Sequence, residues 1–464
     1  MIGICAAVTL ATVVGVDRTI DSRPPTSGAI TTAGGSADGL GSGSGAPPLS
    51  AAKTTGSSED SAGGAGNQVP ARPADAIGDL LDARADAIRS GNRAGWLAGL
   101  APVAGDTRLK RFRAAQSQVF DRVRSLRPVA WSYQVSGGYP LPAERRIALG
   151  GVAWLADVQL EYQLAPGAPK VQRQQFLTMV SRAGGGWSIA ADADGATGRD
   201  VWDLGPISVA GSDRCLVVGA RARRAQITRF ANECGGPART VDGAWGRTWP
   251  RRTVLTVPNT LSQLAVLLGR SDDTAGLERT AAVTVGPAAG AADAVLINGA
   301  AFDELSAVGR RVVLTHELVH VATRATGSRS APTWLSEGYA DYVAYAGTGL
   351  SAQEVAGEAL AAVQAGRLPT GLPAADDFNA ATDQAAAAYG FAWVAVGLIA
   401  AKADNADQAD QTKPGVARLR AFYQQAAAPG AGAAGLDAAL ASVGQGGTAA
   451  FVRVWQARLR QLAE

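Results

Sequence analysis

The chain is 464 residues long, 47% hydrophobic and 18% charged, with a formal net charge of +3. Such a length accommodates two or three domains and a sizeable core. The small net charge, without a compact Lys/Arg cluster interleaved with aromatics, argues against a nucleic-acid-binding protein.

Residues 2–16 form an uninterrupted run of apolar and small residues that ends at Asp17-Arg18. The run is shorter than the roughly 20 residues that span a bilayer, and no basic segment precedes it, yet it resembles the core of a signal peptide. Residues 1–18 are therefore read as an export signal or membrane anchor rather than a buried strand, because the stretch that follows offers nothing to pack against. This reading puts the rest of the chain outside the cytoplasm, either secreted or held at the cell membrane by a single-pass anchor. Residues 19–75 are mostly Gly, Ser, Thr, Pro and Ala, including Gly39-Leu40-Gly41-Ser42-Gly43-Ser44-Gly45. A segment of that composition cannot bury enough apolar surface to offset its ordering entropy, which predicts a disordered linker. Among the cysteines, Cys5 lies in the apolar run, whereas Cys215 and Cys234 are either a disulfide formed in an oxidising compartment or two buried thiols.

Order is expected from about Ala76. Ile77, Leu80, Leu81, Ala85 and Ile88 recur at helical spacing, and so do Leu109, Phe112, Val119, Phe120, Val123 and Leu126. Residues 129–135, 152–164, 174–182 and 187–191 read as strands, with turns at Gly137-Gly138 and Gly184-Gly185-Gly186. Two helices followed by long strands predict a small α+β unit over 76–205. The segment resembles the cone-shaped NTF2-like domains, whose helices cover a strongly curved sheet, with Trp187 in the last strand as the shared feature. Trp96, Trp131, Trp154, Trp187 and Trp202 are read as core, and no titratable constellation stands out among them, so the unit reads as a spacer or binding module.

A bridge over 203–211 leads to a second unit, 212–464. Strands are expected at 214–218, 253–257, 281–285 and 294–297, and helices at 220–233 and 261–268. A longer helix follows, with Asp303 as its N-cap, Val312, Val313 and Val319 on its buried face and Gly327 as its stop. Apolar helices continue through Phe391, Trp393 and Leu398, through Leu419, Phe422 and Tyr423, and through Leu436 to Leu462, with a break near Pro429. The whole chain is assigned to the α+β class.

The chain has two histidines, and they stand four residues apart in His316-Glu317-Leu318-Val319-His320. Positions i and i+4 share a helix face, so both imidazoles can grip one metal ion with Glu317 beside it. A catalytic zinc usually has three protein ligands and a fourth position left to water. Beyond the turn at 327–330, Pro332 opens a second helix carrying Trp334-Leu335-Ser336-Glu337-Gly338-Tyr339-Ala340-Asp341-Tyr342. Glu337 can reach back to the metal if the two helices pack together. Asp341, one turn later, can accept a hydrogen bond from a liganding imidazole and fix its tautomer.

These two helices resemble those of the gluzincin metallopeptidases, in particular the thermolysin-like "peptidase MA-like" domains, over roughly residue 216 to the C-terminus. The resemblance implies a thermolysin-like zincin domain with a mixed sheet, an active-site helix and a helical C-terminal part. It further implies zinc held by His316, His320 and Glu337, a zinc-activated water with Glu317 as its general base, and Asp341 orienting a histidine. The strand before the zinc helix, at 293–298, would be a sheet edge on which Ala294, Val295, Leu296, Ile297 and Asn298 bind peptide substrate, the alternative being an ordinary interior strand. Thermolysin itself uses a histidine to stabilise the oxyanion, and this chain has none left, so that role falls to a tyrosine, an arginine or nothing. Tyr389 resembles the tyrosine found downstream of the third ligand in aminopeptidase-type gluzincins. The expected function is zinc-dependent hydrolysis of a peptide or protein substrate. The competing reading is a catalytically inactive, surface-tethered binding protein that keeps the peptidase fold. Glu317 favours the enzyme, because a purely structural zinc site needs no general base.

Overall fold

The computed structural model describes residues 73–464 except 104–105, 184, 272, 287–292, 328–329, 381, 383 and 406–413. The expectations for residues 1–18, and for all but the end of the 19–75 linker, lie outside the described residues.

Helix α1 (Pro73–Ser90) turns Ile77, Leu81 and Ile88 inward at the spacing the sequence shows. The short α2 (Arg93–Ala98), which periodicity does not reveal, is capped by Asn92 and buries Trp96. In α3 (Thr107–Leu126) the Asp106 carboxylate accepts from the N–H groups of Arg108 and Leu109, two of the donors a helix start leaves without a partner. These helices cover an antiparallel sheet of β1 (Ala130–Pro140), β2 (Ala153–Gln163), β3 (Val171–Ser181) and β4 (Trp187–Ala191), paired in chain order. A short α4 (Ala143–Ala148) fills the β1–β2 connection. Gly137-Gly138 is not the expected turn. β1 runs on through it, with a register shift between Val135 and Gly137 that marks a bulge. The reason is close approach: a Cβ on Gly138 would stand 1.8 Å from the Trp154 indole nitrogen.

After α5 (Val201–Leu204), the expected bridge turns out to contain β5 (Ile207–Gly211), a strand of the second sheet that pairs antiparallel with β6 (Cys215–Ala220). The chain then passes through α6 (Arg224–Glu233) and α7 (Gly235–Trp245) to β7 (Thr253–Val257), parallel to β6. Helix α8 (Leu261–Leu267), β8 (Ala282–Val285) and β9 (Ala294–Ile297) complete a mixed sheet of order β5-β6-β7-β9-β8. The strand expected at the sheet edge is thus an interior one. Ala294, Val295, Leu296 and Ile297 are all buried, flanked by β7 in parallel and β8 antiparallel, and the edge belongs to β8. The apolar run shows that both faces of β9 are covered, but it does not say which strands lie beside it; β8, nearly as buried, is the one at the edge. Asn298, the fifth residue of that expectation, lies beyond β9 and caps the next helix by accepting from Ala300 and Ala301. The two sheets share apolar core: Trp131, Tyr162 and Trp202 cluster with Ile207, Leu216, Val218 and Val254.

The rest is helical: α9 (Gly299–Glu304), α10 (Ala307–Ala325), α11 (Thr333–Tyr345), α12 (Ala352–Val355), α13 (Gly357–Gln364), α14 (Ala385–Asn405), α15 (Pro414–Ala426), α16 (Gly432–Ser442) and α17 (Thr448–Ala463). Asp303 sits inside α9, paired with Arg229, and the N-cap of α10 is Ser306, whose hydroxyl accepts from Gly309 N–H at 3.1 Å. Gly327, at φ 88°, follows the end of α10 as expected. A disulfide joins buried Cys215 in β6 to Cys234 after α6, with Cα atoms 6.3 Å apart. No helix among the described residues is long and apolar enough to cross a membrane.

Candidate metal centre

Every residue of α10 from Val312 to Thr323 is buried, including His316, Glu317 and His320. Polar side chains this deep need partners; those of the two histidines come from α11 and that of Glu317 from β8. Glu337 and Asp341, one turn apart on α11, face the two imidazoles and are themselves buried. His316 Nδ1 lies 2.8 Å from Asp341 Oδ1. With Nδ1–H donating there, the Nε2 lone pair of His316 points inward, 2.9 Å from Nε2 of His320 and 3.2 Å from Oε2 of Glu337. His320 Nε2 stands 3.4 Å from the same Glu337 oxygen, and its Nδ1 lies 3.4 Å from the Ser336 hydroxyl. Neither Glu337 oxygen accepts a hydrogen bond.

Two imidazole nitrogens and a carboxylate oxygen converging in a buried pocket favour a cation among them, either a proton on an imidazole or a metal ion in its place. The geometry suits a metal ion. Ligands at zinc bond lengths of about 2.0–2.1 Å in a tetrahedron lie roughly 3.3 Å apart, and the three separations here are 2.9, 3.2 and 3.4 Å. A triangle with those sides has a circumscribed radius of about 1.8 Å, so one point can reach bonding distance from all three atoms and keep an open side. His316, His320 and Glu337 are therefore a buried group that can hold a metal ion.

The electrostatics agree. Burial opposes charge on His316, but the Asp341 hydrogen bond and the Glu337 carboxylate outweigh it and raise its pKa to about 10. Burial lowers His320 to about 4 despite Glu337. Glu337, which burial alone would raise, is held below the ordinary carboxylate range by the two imidazoles. Burial raises Asp341 against the pull of His316, and the imidazole, as the stronger base of that pair, keeps the proton. The pocket thus demands positive charge between α10 and α11. Beside it, burial pushes Glu317 up to about 7, and Thr284 on β8 donates its hydroxyl to the Glu317 carboxylate.

Tyr389 on α14 packs its ring 6.2 Å from the His316 ring and 5.1 Å from that of Phe378. The structure thus brings His316, Glu317, His320, Glu337, Asp341 and Tyr389 together, and leaves the β9 residues inside the sheet. Thr284 and Ser336 were not singled out from sequence. Thr284 had one visible signal, being the single hydroxyl in Ala281-Ala282-Val283-Thr284-Val285, and Ser336 had its place directly before Glu337.

The first unit also holds more charge than its sequence suggests. Tyr162 and Arg173 both donate to Asp200, Arg199 pairs with Asp192, and buried Arg84 lies over the Trp96 ring. Burial, together with Asp200, pushes Asp203 up to about 7. The cavity lined by Arg84, Trp96, Asp192, Arg199 and Asp203 is about 30 Å³, room for a water or two and far below the size of an organic-ligand pocket. Trp96, Trp131, Trp187 and Trp202 are buried, as the core reading expects, and Trp154 is half-buried.

No family model matches the chain, and no curated protein matches it. Among solved structures, a match is an M1 zinc metallopeptidase mutant from Deinococcus radiodurans bound to a Tyr-Ser-Ala substrate, at 16% identity and a TM-score of 0.34. The alignment covers 71% of this chain and 61% of that one, so this chain spans about three fifths of the other's length. A TM-score that low does not establish a common fold.

Proposed function

We propose that the chain is a zinc-dependent peptidase. What carries the reading is the convergence of His316 Nε2, His320 Nε2 and Glu337 Oε2 at tetrahedral ligand spacing, with a second buried carboxylate, Glu317, that is not needed as a ligand. Zinc held by those three residues would supply a positive charge that polarises a water and a substrate carbonyl. Asp341 keeps the proton of His316 on Nδ1 and so keeps Nε2 available. Glu317 takes a proton from the attacking water at a carboxylate oxygen and delivers it to the amide nitrogen as the C–N bond breaks. Tyr389, against the His316 ring, is the candidate donor to the carbonyl oxygen as it gains charge. A peptide that pairs with the second sheet at the edge next to α10 would meet β8, which among the described residues has no strand neighbour on its outer side.

The test compares wild type with Glu317→Gln. Elemental analysis should find about one zinc per chain in both. Cleavage of a broad peptide library should fall by roughly 10²–10⁴ in the variant, the span of general acid–base contributions. A wild type without zinc overturns the metal reading. Bound zinc with equal, null cleavage by both proteins favours the inactive binding protein instead.

A further inference from the structure

Thr284 stands on β8, the outer strand of the second sheet next to α10, and is completely buried. Its hydroxyl donates to Oε2 of Glu317 and lies 3.2 Å from the Glu317 main-chain oxygen. A hydroxyl carries one proton, so one of these acceptors takes it, and the closer is the carboxylate. Its own carbonyl accepts from Arg324 Nη1 at 3.2 Å, and Arg324 lies in the last turn of α10, two turns beyond Glu317. One residue of the edge strand is therefore tied to the active-site helix twice, by its side chain at Glu317 and by its main chain at Arg324.

From this we infer that Thr284 is the positioning residue of the general base, an inference that rests on the peptidase reading above. A glutamate has three side-chain torsions, and burial alone does not choose among its rotamers. The Thr284 hydroxyl holds one carboxylate oxygen from the β8 side and leaves the other to exchange the proton with water. Because Thr284 belongs to the strand that a peptide would meet, the same contact sets the distance between the base and the substrate's main chain. Valine at this position would keep the shape and burial and remove only the donor, whereas serine would keep the donor and remove a methyl group.

The experiment uses full-length Thr284→Val, Thr284→Ser and Glu317→Gln, each with zinc content and melting temperature measured. For a library-derived peptide substrate, Thr284→Val should retain one zinc and lose roughly 10–100-fold in kcat with KM changed less than about twofold, the effect typical of groups that orient an active residue. Thr284→Ser should recover to within about threefold of wild type. A readout independent of turnover is carbon-13 NMR of glutamate-labelled protein, in which the carboxyl resonance missing from Glu317→Gln identifies Glu317. That resonance should shift in Thr284→Val and return toward its wild-type position in Thr284→Ser. The inference is overturned if Thr284→Val leaves both kcat and the Glu317 resonance unchanged, or if Thr284→Ser is as impaired as Thr284→Val. If the wild type cleaves no peptide, the peptidase reading fails by itself, and the NMR comparison still decides whether Thr284 holds Glu317.

Discussion

Replacing Asp341 by Asn tests how the protein keeps His316 ready for a metal. The His316 Nδ1 to Asp341 Oδ1 hydrogen bond is 2.8 Å long, and both side chains are buried, so solvent barely screens it. Asparagine keeps an acceptor in place and removes the charge. A hydrogen bond to a charged group contributes about 1.5–3 kcal/mol and a neutral one about 0.5–1.5 kcal/mol, so the variant loses roughly 1–2 kcal/mol of support for the liganding tautomer. Each 1.4 kcal/mol is tenfold, which predicts zinc binding weakened by about 5- to 30-fold. Asparagine can also present its NH₂ to His316. The ring would then carry its proton on Nε2, facing Glu337, and the loss would approach 100-fold. Competition against a chromophoric chelator at neutral pH measures the affinity directly. An affinity within twofold of wild type would show that Asp341 does not set the His316 tautomer and would refute the argument from the hydrogen bond.

Two further expectations concern stability. Asp203 has a folded pKa raised from 3.8 to about 7, so the folded state binds the proton more tightly, and stability present at acid pH is lost as the pH rises from about 4 through 7. The full shift corresponds to about 4 kcal/mol, but Asp203 keeps partial exposure, so Asp203→Asn should gain nearer 2 kcal/mol at pH 8 and nothing at pH 4. Asparagine can still accept from the Asp200 N–H, as Asp203 does at 2.8 Å; urea unfolding at the two pH values reads the difference, and equal gains at both would sink the idea. Gly338→Ala would set a Cβ 2.5 Å from the Ala392 carbonyl oxygen and 2.9 Å from Val396 Cγ2, where α11 meets α14. Backbone on both sides must give way, so a loss of at least about 2 kcal/mol is expected together with weaker zinc binding through its neighbour Glu337, and a change under 0.5 kcal/mol by chemical denaturation would contradict the packing argument.

The buried group of His316, His320 and Glu337 was legible because its geometry is local. The i, i+4 spacings of His316/His320 and Glu337/Asp341 fix which side chains share a face before any tertiary contact forms, and one short turn suffices to bring the two helices together. The sheet edge was not legible, because strand order is a nonlocal choice. β8 precedes β9 in sequence but lies outside it, and no periodicity in Ala294–Ile297 could say that β7 would pair on its other side. Caps were ambiguous for a different reason: Asp303 and Ser306 are both good N-cap residues, and the choice depends on the separate turn of α9 and on the Asp303–Arg229 pair, which joins residues 74 apart. The same nonlocality hid the charge network around Asp200, whose donors Tyr162 and Arg173 come from neighbouring strands 38 and 27 residues away.

Thr284 joins the two kinds of information. Its chemistry is trivial to read, a hydroxyl in an apolar strand, but its partner is set by two nonlocal facts: that β8 is outermost, and that it lies against the face of α10 carrying Glu317. A polar side chain in such a strand must either reach solvent or find a buried acceptor. Thr284 is fully buried, so solvent is excluded, and its donation to Glu317 meets the need of both groups at once. A buried hydroxyl on the strand beside a helix that carries a candidate metal site is therefore a reason to look for the group it orients.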